Sequence, residues 1–216
     1  MDKKEAAALI GIVRHRLGTD GKGVTTLVGF HGCPLRCRYC LNPQSFDENV
    51  RVLRLTPDEL FERVQVDQLY FLASGGGVTF GGGEPLLHAD YIARFRQLCG
   101  DAWQLCAETS LAVPSEMVEI AASCIDRFLV DCKDTNDEIY RRYTGKSNIL
   151  MLENLRLLTE RIPPDRITVR LPLIPGFNTE DDRRRSRERL EKLGIVHFDC
   201  FSYLLPKKKI PSQTES

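Results

Sequence analysis

The sequence predicts an α/β fold built on a parallel sheet, and three observations lead to this prediction. Apolar, β-branched runs alternate with helix signals along the whole chain. Glycines and charged residues follow the predicted strands, where α/β barrels carry their functional groups. No internal repeat or linker interrupts the 216 residues, a length that suits one domain. Because crossovers between parallel strands are right-handed, six such strands give a partial (β/α)6 barrel.

The predicted elements follow in chain order. Strands are predicted at 24–30, 78–80, 103–107, 125–130, 166–171 and 196–203. Helices are predicted at 57–73, 89–99, 114–123, 136–143, 149–160 and 179–193. The first helix opens with Thr56-Pro57-Asp58-Glu59, a capping box with proline at the first helical position. We expect residues 1–216 to form one domain, with an N-terminal segment over 1–20, helix-like at 2–8, and a flexible tail over 207–216.

Charge and cysteine usage limit the class of protein. Thirty basic and thirty acidic residues balance, so no basic excess favours nucleic acid or an anionic membrane as a partner. We expect no signal peptide and no membrane-spanning segment. Eight cysteines without a disulfide-rich pattern indicate a reducing compartment. The expected localisation is therefore cytoplasmic.

The most informative motif is a loop of three cysteines, Cys33, Cys37 and Cys40, in a C-x3-C-x2-C spacing. Three thiolates on one loop can hold three irons of a [4Fe–4S] cluster, whereas electron-transfer clusters use four cysteines. The fourth iron is then open to a substrate, as in catalytic metal sites. Zinc with His31 as a fourth ligand is the alternative. Zinc sites usually present two separated ligand pairs, and no second pair lies nearby, so the pattern favours the cluster.

Further candidate residues follow the next predicted strands. Gly82 and Gly83 allow a ligand to approach the backbone closely, and the Glu84 carboxylate can accept from an ammonium group. The alternative for this segment is a tight turn without a ligand. Glu108-Thr109-Ser110 follows the third predicted strand.

The fourth and fifth predicted strands end in charged residues. Asp131 and Lys133 are two apart and point to one face, where a structural salt bridge is the alternative. Arg170 offers a planar, always-charged fork for a carboxylate, or it caps the barrel rim.

These segments resemble a known family. The cysteine loop, with Tyr39 before its third cysteine, resembles the cluster motif of the radical S-adenosylmethionine (SAM) superfamily. Together with 78–85, 131–133, 144–148 and 170–178, it resembles the glycyl-radical-enzyme activating enzymes over about residues 20–203. The resemblance implies a radical SAM core and an oxidoreductase that reductively cleaves SAM to a 5′-deoxyadenosyl radical. That radical would abstract hydrogen from a glycine of a partner glycyl radical enzyme.

The resemblance also implies roles for individual residues. Cys33, Cys37 and Cys40 would ligate the cluster, and Tyr39 would pack on adenine. Residues implied in binding SAM are Gly82, Gly83, Glu84, Thr109, Ser110, Asp131, Lys133 and Arg170. Lys133 and Glu108 would be catalytic, and Glu108 and Asp131 can border a monovalent cation. Asp20 would contact the substrate, and a reduced flavodoxin or ferredoxin would supply electrons.

Two alternatives remain open from the sequence. One is a radical SAM enzyme that modifies a small molecule or a ribosomal peptide, and the other is a non-catalytic metal or redox protein. The segment 201–204 lacks the histidine with which the family often ends its last strand, because Leu204 stands there. We expect the edge of that strand to be covered by the N-terminal segment, the tail or a partner chain.

Overall fold

A computed structural model describes residues 6–18 and 20–204. The strands are β1 (Ala7–Leu17), β2 (Val24–Phe30), β3 (Leu53–Leu55), β4 (Gly77–Gly82), β5 (Gln104–Thr109), β6 (Arg127–Asp131), β7 (Ile167–Leu173) and β8 (His197–Ser202). They form one sheet in the order β3-β1-β2-β4-β5-β6-β7-β8. Strands β2 and β4 to β8 run parallel, whereas β1 is antiparallel to both of its neighbours. The sheet stays open, with β3 and β8 at its edges.

Helices connect the parallel strands. They are α1 (Pro57–Val64), α2 (Gln68–Ser74), α3 (Ala89–Cys99), α4 (Ser115–Cys124), α5 (Asp137–Thr144), α6 (Ile149–Arg161) and α7 (Glu180–Glu191). The predicted capping box begins α1: Thr56 Oγ1 accepts from the Glu59 amide at 3.2 Å, and Glu59 Oε2 accepts from the Thr56 amide at 2.8 Å. A 3-10 turn, Gln65–Asp67, separates α1 from α2, where the sequence predicts one continuous helix.

The predicted fold class is confirmed. All six predicted strands are the parallel strands of the sheet. The predicted helices are present with their ends shifted by at most a few residues, except that the one predicted at 57–73 is divided into α1 and α2. The core lies between the sheet and its helices, where Phe71 and Phe95 pack against Trp103 and Phe80 packs against Phe95. No helix in the described part of the chain has both the length and the apolar character needed to cross a bilayer.

The prediction for the N-terminus is wrong where the structure describes it. Ala7 and Ala8 belong to β1 and pair with Leu55 and Arg54 of β3, so they are not helical; residues 2–5 lie outside the described part. Ala7 and Leu9 are buried on one face of β1. Helix propensity of an alanine run is a weak preference, and pairing with two strands overrides it here.

The position of β1 also decides one expectation about the sheet edge. Because β1 lies beside β2, on the far side of the sheet from β8, the described residues of the N-terminal segment do not cover the last strand, and this one of the three expected covers is ruled out for them. The residues of the tail at 207–216 lie outside the described part of the chain. Among the described residues β8 pairs only with β7, so cover by a partner chain stays a prediction.

Candidate functional site

A cavity of about 190 Å³ lies at the carboxyl ends of the parallel strands. The loop after β2, the turn after β4 and the ends of β5 to β8 all contribute to its lining. Every predicted site residue except Asp20 lines it. The sequence motifs, which are scattered over about 140 residues of chain, therefore meet in one place, as the carboxyl ends of parallel strands do in barrel enzymes.

The cysteine loop is anchored by backbone hydrogen bonds. The Gly32 amide donates to the Ser45 carbonyl at 2.6 Å, and the Arg36 and Arg38 amides donate to the carbonyls of Thr144 and Tyr143 at 2.9 and 3.1 Å. All eight cysteines are free thiols. Burial raises the pKa of Cys33 to about 12 and that of Cys37 to about 11. Both are thus protonated without metal, so iron has to displace these protons on binding.

The thiols fit an iron–sulfur cluster better than zinc. The three cysteines line one cavity, as a cluster bound through three irons requires, and His31 is not part of that lining. His31, the candidate fourth zinc ligand, instead has its Nε2 3.1 Å from the carbonyl oxygen of Asp47.

The turn after β4 requires glycine at two positions. Gly82 has φ +90°, and a Cβ there would lie 2.7 Å from Gly29 Cα; a Cβ on Gly83 would lie 2.0 Å from the Gly32 carbonyl oxygen. The Gly83 amide donates to the Phe30 carbonyl at 2.9 Å. These contacts bring the backbone of the turn directly against β2 and the start of the cysteine loop.

The Glu84 side chain is hydrogen-bonded to this turn and to the end of β5. Its side chain is buried, and its carboxylate accepts four hydrogen bonds: from Thr109 Oγ1 (2.6 Å), Ser110 Oγ (2.6 Å), the Ser110 amide (2.8 Å) and the Leu86 amide (3.2 Å). Burial raises the pKa of Glu84, and these donors oppose that shift. A carboxylate has about four acceptor sites, and these four hydrogen bonds fill them. Through these bonds, Glu84 fixes the turn to the end of β5.

A network of four charges spans β5, β6 and β7. Arg170 donates through Nε to Asp131 at 2.7 Å and through a terminal nitrogen to Glu108 at 3.1 Å. Lys133 Nζ lies 3.1 Å from the second Asp131 oxygen and donates to the Tyr203 hydroxyl at 3.2 Å. Asp131 and Arg170 are register partners on adjacent strands, which explains how the network forms.

The two carboxyls of this network are shifted in opposite directions. Burial alone would raise the pKa of Asp131, but the adjacent Lys133 and Arg170 charges outweigh it and the pKa is lowered. Burial raises the pKa of Glu108, and the negative charges of Asp131 and Asp20 add to this, with only Arg170 opposing. Two acidic and two basic side chains therefore balance at the cavity wall. Asp131 contacts both basic side chains, whereas Glu108 contacts Arg170.

Asp20 lies outside the cavity lining. It precedes β2, is buried, and its carboxylate is paired with Arg16. The Asp20 carbonyl oxygen accepts from Thr79 Oγ1 on β4 at 2.7 Å. Its effect on the pKa of Glu108 places it within electrostatic reach of the charge network. The role of Asp20 in substrate binding stays a prediction.

Sequence reasoning missed two features of the site. Asn42 donates through Nδ2 to the Gly82 carbonyl at 3.1 Å and so ties the cysteine loop to the glycine turn. An aromatic wall also lines or borders the cavity: the Tyr143 ring lies 6.1 Å from that of Tyr39, 5.0 Å from Phe177 and 6.4 Å from Tyr203. Tyr143 directly precedes Thr144-Gly145-Lys146, which belongs to a segment that resembles the activating enzymes. Its position next to that segment is the sequence signal that could have identified Tyr143 as a site residue.

Comparison with known proteins agrees with this geometry. The profile described as "Radical SAM superfamily" matches residues 27–187, from β2 to α7. The chain belongs to the radical SAM superfamily. Enzymes of this family, including its activating enzymes, use a [4Fe–4S] cluster and SAM. The three free thiols and the cavity beside them, with its charged and hydroxyl side chains, fit both cofactors.

Among named proteins, similar sequences are activating enzymes. Pyruvate formate-lyase 2-activating enzyme of Escherichia coli is 32% identical, covering 99% of this chain and 84% of the relative. Pyruvate formate-lyase-activating enzyme of Staphylococcus aureus is 33% identical, covering 87% and 78%. (2S)-3-sulfopropanediol dehydratase activating enzyme of Klebsiella oxytoca is 29% identical, covering 74% and 69%.

Solved structures share the fold. Streptococcus suis SuiB bound to S-adenosylmethionine superposes with a TM-score of 0.61 at 15% identity, covering 84% of this chain and 43% of that one. Methylornithine synthase gives a TM-score of 0.60 at 15% identity, covering 83% and 53%. The chain thus spans about half the length of these two structures, and the likeness establishes a shared partial-barrel architecture.

Proposed function

We propose that the protein activates a glycyl radical enzyme by generating a radical on a glycine of that partner. The observation that carries the proposal is the extent of the similarity to activating enzymes: one such relative aligns over 99% of this chain, including every strand that contributes to the cavity. The relatives act on different partners, so the similarity supports the class of reaction and leaves the partner to experiment.

The site residues have distinct roles in this proposal. Cys33, Cys37 and Cys40 hold the cluster, since their thiols line one cavity on an anchored loop. Tyr39 packs on the adenine of SAM. The backbone of Gly82 and Gly83, which lines the same cavity, receives the methionine amino group.

The remaining residues orient the ligand or balance its charge. Glu84 acts by holding the glycine turn against Thr109 and Ser110, because all four of its acceptor sites are used within the protein. Lys133 and Arg170 face the methionine carboxylate. Glu108 and Asp131 neutralise these two cations and can border a monovalent cation.

The reaction balances with one external electron. Bound in this cavity, the cluster and SAM would supply one-electron reductive cleavage of a carbon–sulfur bond, with the electron from a reduced flavodoxin or ferredoxin. The products would be methionine and 5′-deoxyadenosine, which would carry the α-hydrogen of the partner's glycine and leave the unpaired electron on that glycine. The protein's own contribution is to bind, orient and shield, as for other cofactor enzymes.

The test is anaerobic reconstitution with iron, sulfide, SAM, a low-potential reductant and a panel of glycyl radical enzymes. We expect a glycine-centred doublet in the electron paramagnetic resonance spectrum of one partner. Deuterium from that partner's glycine α-carbon should appear in 5′-deoxyadenosine. Cys37→Ala should abolish both signals, whereas Cys99→Ala, at the end of α3 and outside the cavity, should retain them.

One outcome would replace this proposal with another. If SAM is cleaved but label from glycine never enters 5′-deoxyadenosine, while label from a small molecule or a peptide does, the protein modifies that substrate instead. If SAM is not cleaved under any condition, the cofactor assignment of the cavity itself is wrong.

A further inference from the structure

Helix α5 ends directly against the cysteine loop. The carbonyls of Tyr143 and Thr144, at its last turn, accept from the amides of Arg38 and Arg36 at 3.1 and 2.9 Å. Both acceptors are among the carbonyls that a helix leaves unpaired at its carboxyl end. The last turn of α5 is therefore as firmly fixed to the cofactor loop as the glycine turn is, although no cofactor motif lies within the helix.

The Tyr143 side chain reaches into the cavity from this turn. It is 1% exposed and lines the same cavity as Cys37, Lys133 and Tyr203. Its ring is held on three sides by Tyr39, Phe177 and Tyr203, with ring centroids 5.0 to 6.4 Å away. A ring enclosed in this way keeps one orientation, so the position of its hydroxyl is fixed.

The hydroxyl of Tyr143 is buried without a hydrogen-bond partner in the described structure. Such a group is costly, and buried hydroxyls are normally paired. Burial raises the pKa of Tyr143, so the phenol stays protonated and its O–H remains a donor. The Tyr203 hydroxyl also raises this pKa, through its charge and a side-chain contact with Tyr143, but the two hydroxyls do not have the geometry of a hydrogen bond.

The groups around this hydroxyl indicate which ligand group it hydrogen-bonds to. Lys133 lies on the same side and donates to the Tyr203 oxygen, which leaves the Tyr203 proton free to donate as well. Lys133 and Arg170 are already paired with Asp131 and Glu108, so the wall carries little surplus positive charge. A bound carboxylate there needs additional neutral donors, and the Tyr143 hydroxyl is placed to be one.

We propose that the Tyr143 hydroxyl donates a hydrogen bond to the carboxylate of bound SAM. Tyr143 is thus a ligand-binding residue that the cysteine and glycine motifs do not include. This rests on the proposed function only in placing SAM in this cavity, and it holds whether or not the partner is a glycyl radical enzyme.

The chain supplies a matched control in Tyr140, three residues earlier on α5. Its hydroxyl is also buried without a partner, but its side chain does not line the cavity. Removing an unpartnered buried hydroxyl does not cost a hydrogen bond, so Tyr143→Phe and Tyr140→Phe should both unfold at or above the temperature of the parent protein. Only Tyr143→Phe removes the donor to the ligand.

The experiment measures equilibrium binding of two probes, SAM and decarboxylated SAM, to each anaerobically reconstituted protein. Tyr143→Phe should weaken SAM binding by about tenfold, the effect of losing one hydrogen bond to a charged group. It should leave the affinity for decarboxylated SAM unchanged, and Tyr140→Phe should match the parent for both probes. Iron content and thermal unfolding are measured on the same samples.

Two results would overturn the assignment. Unchanged SAM binding in Tyr143→Phe would mean that the hydroxyl serves no ligand. Equal weakening for both probes would mean that it acts on another part of SAM or on the shape of the cavity. Neither result bears on radical transfer to a partner. The activating function is tested separately, by the labelling experiment.

Discussion

At the scale of single residues, Glu84 shows how a motif residue can act through its neighbours. Its four acceptor sites are filled by Thr109, Ser110 and the Leu86 amide, and each of these donors is itself at least partly buried. The carboxylate thus connects the ends of β4 and β5, the two strands whose carboxyl ends flank the glycine turn.

We expect Glu84→Ala to keep the iron content of the parent protein and to weaken SAM binding. It should also lower stability by roughly 1–3 kcal/mol, because the donors lose their buried acceptor. Iron analysis, equilibrium SAM binding and thermal unfolding measure the three effects, with Glu62→Ala on the exposed face of α1 as the control. SAM affinity equal to that of the parent would contradict the role given to this turn.

At the scale of elements, Asp137 in the first turn of α5 connects this helix to the turn before α6. Asp137 accepts from Ser147 Oγ at 2.7 Å and the Asn148 amide at 2.9 Å, which closes the turn to α6, and from Arg141 Nε at 2.5 Å. The hydrogen bond from Ser147, with those from Arg141 and Asn148, lowers the pKa of Asp137 to about 2 from its ordinary value of 3.8. These contacts set the position of the helix that carries Tyr143.

The lowered pKa makes this contribution depend on pH. Because the folded pKa lies below the unfolded one, Asp137 stabilises the fold above about pH 4, and the contribution is lost as pH falls toward 2. We expect the urea midpoint of Asp137→Asn to lie below that of the parent at pH 5 and to approach it near pH 2. The exposed Glu153→Gln on α6 serves as the control. A gap that does not change with pH would contradict this assignment.

The same scale shows what the sequence could and could not predict. The six parallel strands were predictable because each is a local apolar run bounded by turn residues, and the motif residues were predictable because each lies next to a strand end. Strand β1 was missed because its alanines also suit a helix, and β3 has only three residues. The roles of Tyr143 and Asn42 arise from contacts between segments distant in the chain, which no local pattern encodes.

At the scale of the whole molecule, the sheet has two edges with different surroundings. Strand β3 forms one edge, far from the cavity in strand order, and β8 forms the other. Along β8, His197, Asp199 and Cys200 are exposed, whereas Phe201 and the following Tyr203 line the cavity. A segment of a partner that enters the cavity from this side therefore has to pass along β8. Exposed strand edges also readily pair with another chain.

We therefore expect the partner of the proposed reaction to protect β8. Amide hydrogen exchange of residues 197–203 should slow several-fold when the glycyl radical enzyme is added to the reconstituted protein, since bound edge amides open to solvent less often. Exchange at β3, Leu53–Leu55, should stay unchanged, because that edge lies at the other end of the sheet. Slow exchange of β8 already in the isolated protein would instead mean that this chain covers its own edge. Protection at β3 alone would place the partner on the side of the sheet away from the cavity, where no glycine could reach the bound SAM.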